Sequence, residues 1–479
     1  MSSRDQGYRP SGNLQRGKAC FYCRQRKMRC DGAQPICGQC ERSNRPDDCE
    51  YTNGQKRAKA EILQESISRV ERRIYELEHP QEPQFDVSLH QPYQPPNSRT
   101  NGTSDSWATA DEPPMDMVEK LIDSFLAYSS EVGFFLNASR FRQSALMRYP
   151  MGHHARPAPA VLGAVYLWGL RFSKQPHLIA QEPIFLARAL KLTAKGLSGI
   201  HPHKLMHNLQ AEILLAYYFF ASGRFLEGKY HTAAVISLGL SSSIHMVRSA
   251  RSTSPGPLPP PRDIVEEGER IHACWSALVL DKTWAVALSE DPHLELQHES
   301  CEVDTPWPLE MEDYQNGRLS PTARYSSTYH KFVNSVPTSD TGVSTVALLS
   351  KATILWQRAD RLVRQFKADM PRDQTAAYQS SFSALDSLID NFRAALIPPS
   401  QIPHPTPAMI RTLVVSHSIA YAATIQLYTI PPLQMDAKAR HKRLSAACAA
   451  LGIIVSVPLQ HFDFINPIVG VRSPNLICK

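Results

Sequence analysis

This 479-residue sequence is poor in the features that mark enzymes and membrane proteins. It has no G-x-S-x-G nucleophile elbow, no G-x-x-x-x-G-K-[ST] phosphate loop and no G-x-G-x-x-G dinucleotide turn, so a chain that is not an enzyme is expected. No stretch reads as long and apolar enough to span a bilayer, and no membrane is expected as a partner. The polar N-terminus does not resemble a secretory signal. Two groups of closely spaced histidines stand out among the eighteen, His153-His154 and His201-Pro202-His203. Neither pair has a cysteine or a carboxylate cluster nearby, so both read as interhelical turns rather than metal sites. Aromatics make up 8% of the chain, and Trp168, Trp275, Trp284 and Trp356 read as core residues rather than a cofactor stack.

What is present is unevenly placed. The net charge of +7 is modest, but up to Cys30 the cations are Arg4, Arg9, Arg16, Lys18, Arg24, Arg26, Lys27 and Arg29 against Asp5 alone. That local excess suits a polyanion such as nucleic acid. Six of the ten cysteines fall in the same region, spaced C-x2-C-x6-C-x6-C-x2-C-x8-C at Cys20, Cys23, Cys30, Cys37, Cys40 and Cys49. A C-x2-C pair lets two thiolates meet one ion across a turn. In a reducing intracellular setting such a cluster binds metal more often than it forms a disulfide knot, the competing reading. Two tetrahedral zinc ions need eight ligand positions, so with six thiolates two sulfurs must bridge both metals. Such a cluster carries a net charge of −2 (−6 + 4), which nearby cations must offset before phosphate can approach. The first half supplies them with Arg24, Arg26, Lys27 and Arg29. In the second half Glu41, Asp47, Asp48 and Glu50 outnumber Arg42 and Arg45. We therefore expect the helix after Cys20 to enter the major groove and the second half to brace it.

The spacing, together with Lys27, Cys30-Asp31-Gly32 and Pro35, resembles the fungal binuclear zinc cluster (Zn2Cys6) transcription factors over about 30 residues. The resemblance implies two Zn2+ per chain, with Cys20 and Cys37 bridging. Cys23 and Cys30 would complete one site, and Cys40 and Cys49 the other. It also implies that Lys27 reads the guanines of a CGG triplet through their O6 and N7 acceptors. Lys18, Arg24 and Arg29 would hold phosphates, and Arg26 would offer its backbone carbonyl near the cytosine.

Beyond the head, at residues 18–50, a linker (51–61) leads to Leu63, Ile67, Val70, Ile74 and Leu77, spaced by fours and threes. This is the a/d seam of a coiled coil over 62–79, and Pro80 ends it. A homodimer on paired CGG half-sites of double-stranded DNA follows as the expectation. Residues 80–114, rich in Pro, Gln, Asn and Ser, read as a flexible, disordered linker. The fold class expected for the whole chain is mainly α, with a large all-α body at 115–470. Its helices are expected at 117–136, 158–172, 183–197, 204–221, 225–246, 264–288, 343–369, 375–396, 408–429 and 436–456, with 292–342 mostly irregular. Arg270, Trp275, Leu280, Asp281 and Lys282, followed by Asp304-Thr305-Pro306-Trp307-Pro308, resemble the middle-homology regulatory domain of the same factors, with Lys282 where arginine is more usual.

After 457 the apolar run 462–468 reads as a lead-in to a further helix. Gly470 and Pro474 oppose that continuation, so the end is read as a truncated or alternatively spliced form lacking a closing helix, against a short natural tail. The expected function is nuclear, sequence-specific regulation of RNA polymerase II promoters. The competing classes are a metabolite sensor, with a small-molecule effector bound by the body, and a zinc-dependent scaffold that binds no DNA.

Overall fold

The computed structural model describes residues 18–51, 112–251, 256–295, 302–402, 404–434, 436–457 and 463–470. The expected coiled-coil seam and both linkers fall almost wholly outside these ranges. The chain divides into two compact units, Met1–Gly102 and Thr103–Lys479.

In the first unit two five-residue helices, α1 (Phe21–Gln25) and α2 (Gly38–Arg42), each start at a cysteine. The Cys20 and Cys37 sulfurs accept the amides of Cys23 and Cys40, so each ligand pair also caps its own helix. The peptide bond before Pro35 between the two helices is cis.

The second unit is built from helices α3 (Met115–Leu126), α4 (Ala138–Ala145), α5 (Pro159–Phe172), α6 (Glu182–Lys195), α7 (Lys204–Ala221), α8 (Phe225–Ser241) and α9 (Ile264–Ala287). They are followed by α10 (Thr345–Gln365), α11 (Arg372–Ala395), α12 (Pro407–Leu427) and α13 (Ala437–Val455). No strand forms among the described residues, which contain one isolated bridge between Ser249 and Tyr325. The helix starts follow local chemistry. Asn137, Asp263, Ser344, Thr406 and Asp436 accept amides of the first turns of α4, α9, α10, α12 and α13.

Packing proceeds through neighbours: α3 and α6 lie on α5, α5 on α7, and α7 on α8, which leads through α9 and α10 to α12 and α13. Trp168, Trp275, Trp284 and Trp356 are all buried in this core.

Three expectations are corrected. The helix foreseen over 117–136 stops at Leu126 and becomes a short 3-10 turn, Ser129–Val132, closed by Gly133 at φ 70°. The helix foreseen to 246 ends at Ser241, because Ser243 adopts a left-handed conformation ahead of a separate turn, Ile244–Met246. One helix is long and apolar enough to cross a membrane by length and composition: α12, with a mean hydropathy of 1.3. It packs against α10, α11 and α13, and 61% of its apolar window is buried in the body.

Candidate metal centre and nucleic-acid interface

Thirty residues around six cysteines cannot bury a conventional core, and the head's interior consists of sulfur. Cys20, Cys23, Cys37 and Cys40 are fully buried, Cys49 is 9% exposed, and Cys30 lies at the edge beside Tyr51. All six are free thiols. Their sulfurs form two groups of four, Cys20/Cys23/Cys30/Cys37 and Cys20/Cys37/Cys40/Cys49, with every sulfur within 4.8 Å of the others in its group. Cys20 and Cys37 belong to both groups.

Two thiolates at about 2.3 Å on one tetrahedral zinc lie about 3.8 Å apart. The separations are 3.8 Å for Cys20–Cys37, 3.7 Å for Cys20–Cys40 and 3.7 Å for Cys23–Cys37. Cys23 and Cys40, on opposite sides of the pair, are also only 3.9 Å apart.

The electrostatics call for a cation at the centre. Burial works against the thiolate at Cys20, Cys23 and Cys40, raising Cys23 to about 11. Burial opposes ionisation at Cys37 too, but there the Cys40 amide and neighbouring thiols outweigh it and bring the group to about 6. A soft, buried, all-sulfur donor set fits zinc.

The supports around the sulfurs are local. The Cys37 amide donates to the Cys49 sulfur at 3.2 Å, and the Phe21 amide donates to the Glu50 carbonyl at 2.7 Å, tying the two ends of the head together. The Asp31 carboxylate accepts the Gly38 amide at 3.0 and 3.1 Å and the Ala33 amide at 3.3 Å, so it caps α2 from the far half. Sequence reasoning missed this role. The signal available was the acidic residue in Cys30-Asp31-Gly32 preceding a glycine-led helix. A side chain at Gly38 would meet the Asp31 carboxylate at 2.6 Å. The Tyr51 hydroxyl, also missed, donates to the Ala33 carbonyl at 2.8 Å and lies 3.8 Å from the Cys30 sulfur.

Both helices close in the same way. Met28 and Lys27 donate to the carbonyls of Cys23 and Arg24, and Arg45 and Asn44 to those of Cys40 and Glu41, with Lys27 and Asn44 left-handed at φ 53° and 51°. Lys18, Arg24, Arg26, Lys27 and Arg29 are all exposed on the first half. The Arg26 guanidinium lies 5.7 Å from the Tyr22 ring, and the Arg24 guanidinium donates to the Ala19 carbonyl. On the second half Arg45 pairs with Asp48 at 3.6 Å.

The head is thus a small, sulfur-cored, metal-ligating domain with one cationic face. Residues 18–58 match the fungal Zn(2)-Cys(6) binuclear cluster domain, and the head is a domain of that kind. Among relatives, it is similar to the notoamide biosynthesis cluster transcriptional coactivator notQ' of Aspergillus versicolor, at 24% identity over 58% of this chain and 54% of that protein. It is also similar to the C6 finger domain transcription factor hasF of Aspergillus fumigatus, at 40% identity over 13% of this chain and 9% of that protein. A third relative is the chromatin structure-remodeling complex protein RSC30 of Saccharomyces cerevisiae, at 56% identity over 8% of this chain and 4% of that protein. The chain thus spans about half the length of the first relative and under a tenth of the other two. No solved structure matches it.

Asp281, Asp304 and Trp275, singled out in the sequence, serve as long-range ties in the body. Asp281 accepts the amides of His293 and Leu294, and Asp304 accepts from Ser249, Arg251 and the Ser327 amide. Trp275 donates to the Pro306 carbonyl at 2.6 Å and stacks on Trp307, with ring centroids 4.2 Å apart.

Proposed function

We propose that the chain is a nuclear, DNA-binding regulator of transcription, with residues 18–50 as a two-zinc reading head and residues 115–470 as a helical regulatory body. The carrying observation is the pair of four-sulfur groups that share Cys20 and Cys37 beside five exposed cations. In this reading Cys20 and Cys37 bridge, Cys23 and Cys30 complete one zinc, and Cys40 and Cys49 complete the other. A single zinc on Cys20, Cys23, Cys37 and Cys40 would meet the close distances, but it would leave Cys30 and Cys49 without a task at the edges of the same cluster. Zinc supplies the cation that offsets the buried thiolates. The chain's own residues supply the recognition.

Lys27 donates to guanine O6 and N7 in a CGG triplet, and Arg26 offers its carbonyl to the adjacent cytosine. Lys18, Arg24 and Arg29 hold phosphates and fix register. Dimerisation through 62–79 would pair two such triplets on an RNA polymerase II promoter. The named roles of the relatives, a transcriptional coactivator and a C6 finger transcription factor, support this reading.

The test is selection of duplexes from a random pool by the zinc-loaded full chain. Enrichment of paired CGG triplets is expected, with a log affinity that falls linearly with log salt. Absence of both enrichment and salt-dependent binding would leave the scaffold reading in its place.

A further inference from the structure

We infer that the helical body holds a site for a small organic anion with an apolar portion, in the cavity between α4, the turn at 154–157 and the first turns of α7 and α9. The inference goes beyond the DNA-binding reading and does not rest on it. The cavity has a volume of about 460 Å3, within the range of about 300–1,000 Å3 usual for small-molecule sites.

Arg140, Arg156, Arg262 and Arg270 line it, together with Asp263, Glu266 and Glu269, the Arg156 side chain itself being fully buried. Arg140 is matched by Asp263 at 2.7 Å, and the buried Arg156 is matched by Glu112 at 2.5 Å. Glu266 is shared between two partners, at 2.8 Å to Arg262 and 2.8 Å to Arg270. Glu269 accepts the Asn137 amide, and burial pushes its carboxyl up to about 7, so it supplies only part of a countercharge near neutrality. The positive excess is therefore local, at Arg262 and Arg270, which share the one carboxylate of Glu266.

It also carries unused donors. The Nε atoms of Arg156 and Arg270, residues 1% and 7% exposed, are buried without a hydrogen-bond partner among the described residues. Buried donors are usually paired, and these two have no surface open to the cavity, so a bound acceptor would reach them only through a shift of the guanidinium groups. His207 accepts the Ala158 amide on Nδ1 at 3.0 Å, which leaves its Nε2 carrying a proton as a further donor. Leu136, Phe141, Met147, Pro157 and Met206 give the wall an apolar part, beside Ser144, His154 and His203. Donors, the local guanidinium surplus and the apolar part of the wall together select a carboxylate-type head on an apolar body. They disfavour a cation or a neutral alcohol of the same shape.

Calorimetric titration of the zinc-loaded full chain with phenylbutyrate, phenylbutanol and phenylbutylamine tests the assignment. Phenylbutyrate should bind saturably at one per chain, and the alcohol and amine should bind much more weakly. Arg270→Gln should weaken phenylbutyrate by about tenfold or more, the scale of one charge-assisted hydrogen bond. Ala155→Trp, at the rim, should block the cavity without removing a charge. Should Arg270→Gln fail to fold by circular dichroism, the Ala155→Trp variant decides alone. The proposal is overturned if the alcohol or amine binds as well as the acid, if a folded Ala155→Trp variant binds phenylbutyrate normally, or if none of the three probes binds.

Discussion

Lys27 and Asn44 occupy equivalent places in the two halves of the head, each left-handed and each closing a five-residue helix with the same pair of backbone hydrogen bonds. Asparagine suits that conformation and lysine does not, since a left-handed backbone costs most L-residues roughly 1 kcal/mol. The first half thus carries a conformational cost at the residue proposed to read guanine.

Lys27→Asn separates the two roles. The zinc-loaded protein should unfold slightly later, by up to about 1 kcal/mol, while discrimination at the guanines falls by roughly 1–3 kcal/mol. Thermal melts and competition between CGG and scrambled duplexes measure both. Earlier melting, or equal losses on both duplexes, would refute the assignment.

Cys37 and Cys49 should differ in metal stoichiometry. Cys37→Ser removes a sulfur common to both four-sulfur groups while leaving a hydroxyl able to cap α2, whereas Cys49→Ser touches one group. The expected outcome is damage to both zinc positions in the first variant and mainly to one in the second, read by native mass spectrometry. Two zincs retained by Cys37→Ser would remove the bridging role. Because the head has almost no apolar core, chelation should unfold it.

The legible parts of this protein were those encoded by short-range spacing. The cysteine pattern singled out six cysteines whose sulfurs the fold does bring together, and helical periodicity placed α5, α7 and α9 within a residue or two at each end. The missed helix α4 is polar along most of its length and buries only Phe141 and Ala145, so its signal was the Asn137 cap rather than a hydrophobic stripe. The overrun past Leu126 arose because apolar residues continue to Leu136 after the helix has ended. Long-range partners were illegible: nothing local to Asp31, Asp281 or Asp304 states which amides they accept.

Glu269 should set a pH dependence of stability in the body. Burial raises its carboxyl from 4.5 to about 7, with a smaller push from Glu266 opposed by the Asn137 amide and by Arg140 and Arg262. A raised folded value means that the native state holds the proton more tightly. This group's contribution is therefore complete below its unfolded value and is lost as pH rises through about 7. Glu269→Gln keeps an acceptor for the Asn137 amide and removes the titration. Near pH 8 the variant should be the more stable of the two, by at most about 3 kcal/mol, with the gap closing near pH 5. Denaturant midpoints for both proteins at both pH values check this, and a gap independent of pH would rule it out.

The segment 463–470 should contribute measurably to the stability of the body. Phe464 inserts among Tyr128, Trp168 and Phe172, with ring centroids 6.3, 5.7 and 4.8 Å away. Its neighbours anchor the backbone on either side. Asp463 accepts from Tyr128 and pairs with Lys174, and the Asn466 amide donates at 3.0 Å to Glu131, itself buried against Arg411. Truncating an aromatic in such a cluster removes both buried area and edge-to-face contacts, so Phe464→Ala should cost about 1–3 kcal/mol. Leu451→Ala on α13, where the side chain is 61% exposed, should cost far less and serves as the control. Denaturant unfolding and limited proteolysis provide the comparison. If Phe464→Ala is as mild as the control and exposes no new cleavage near 463–470, the segment is an appendage to the fold rather than a part of it.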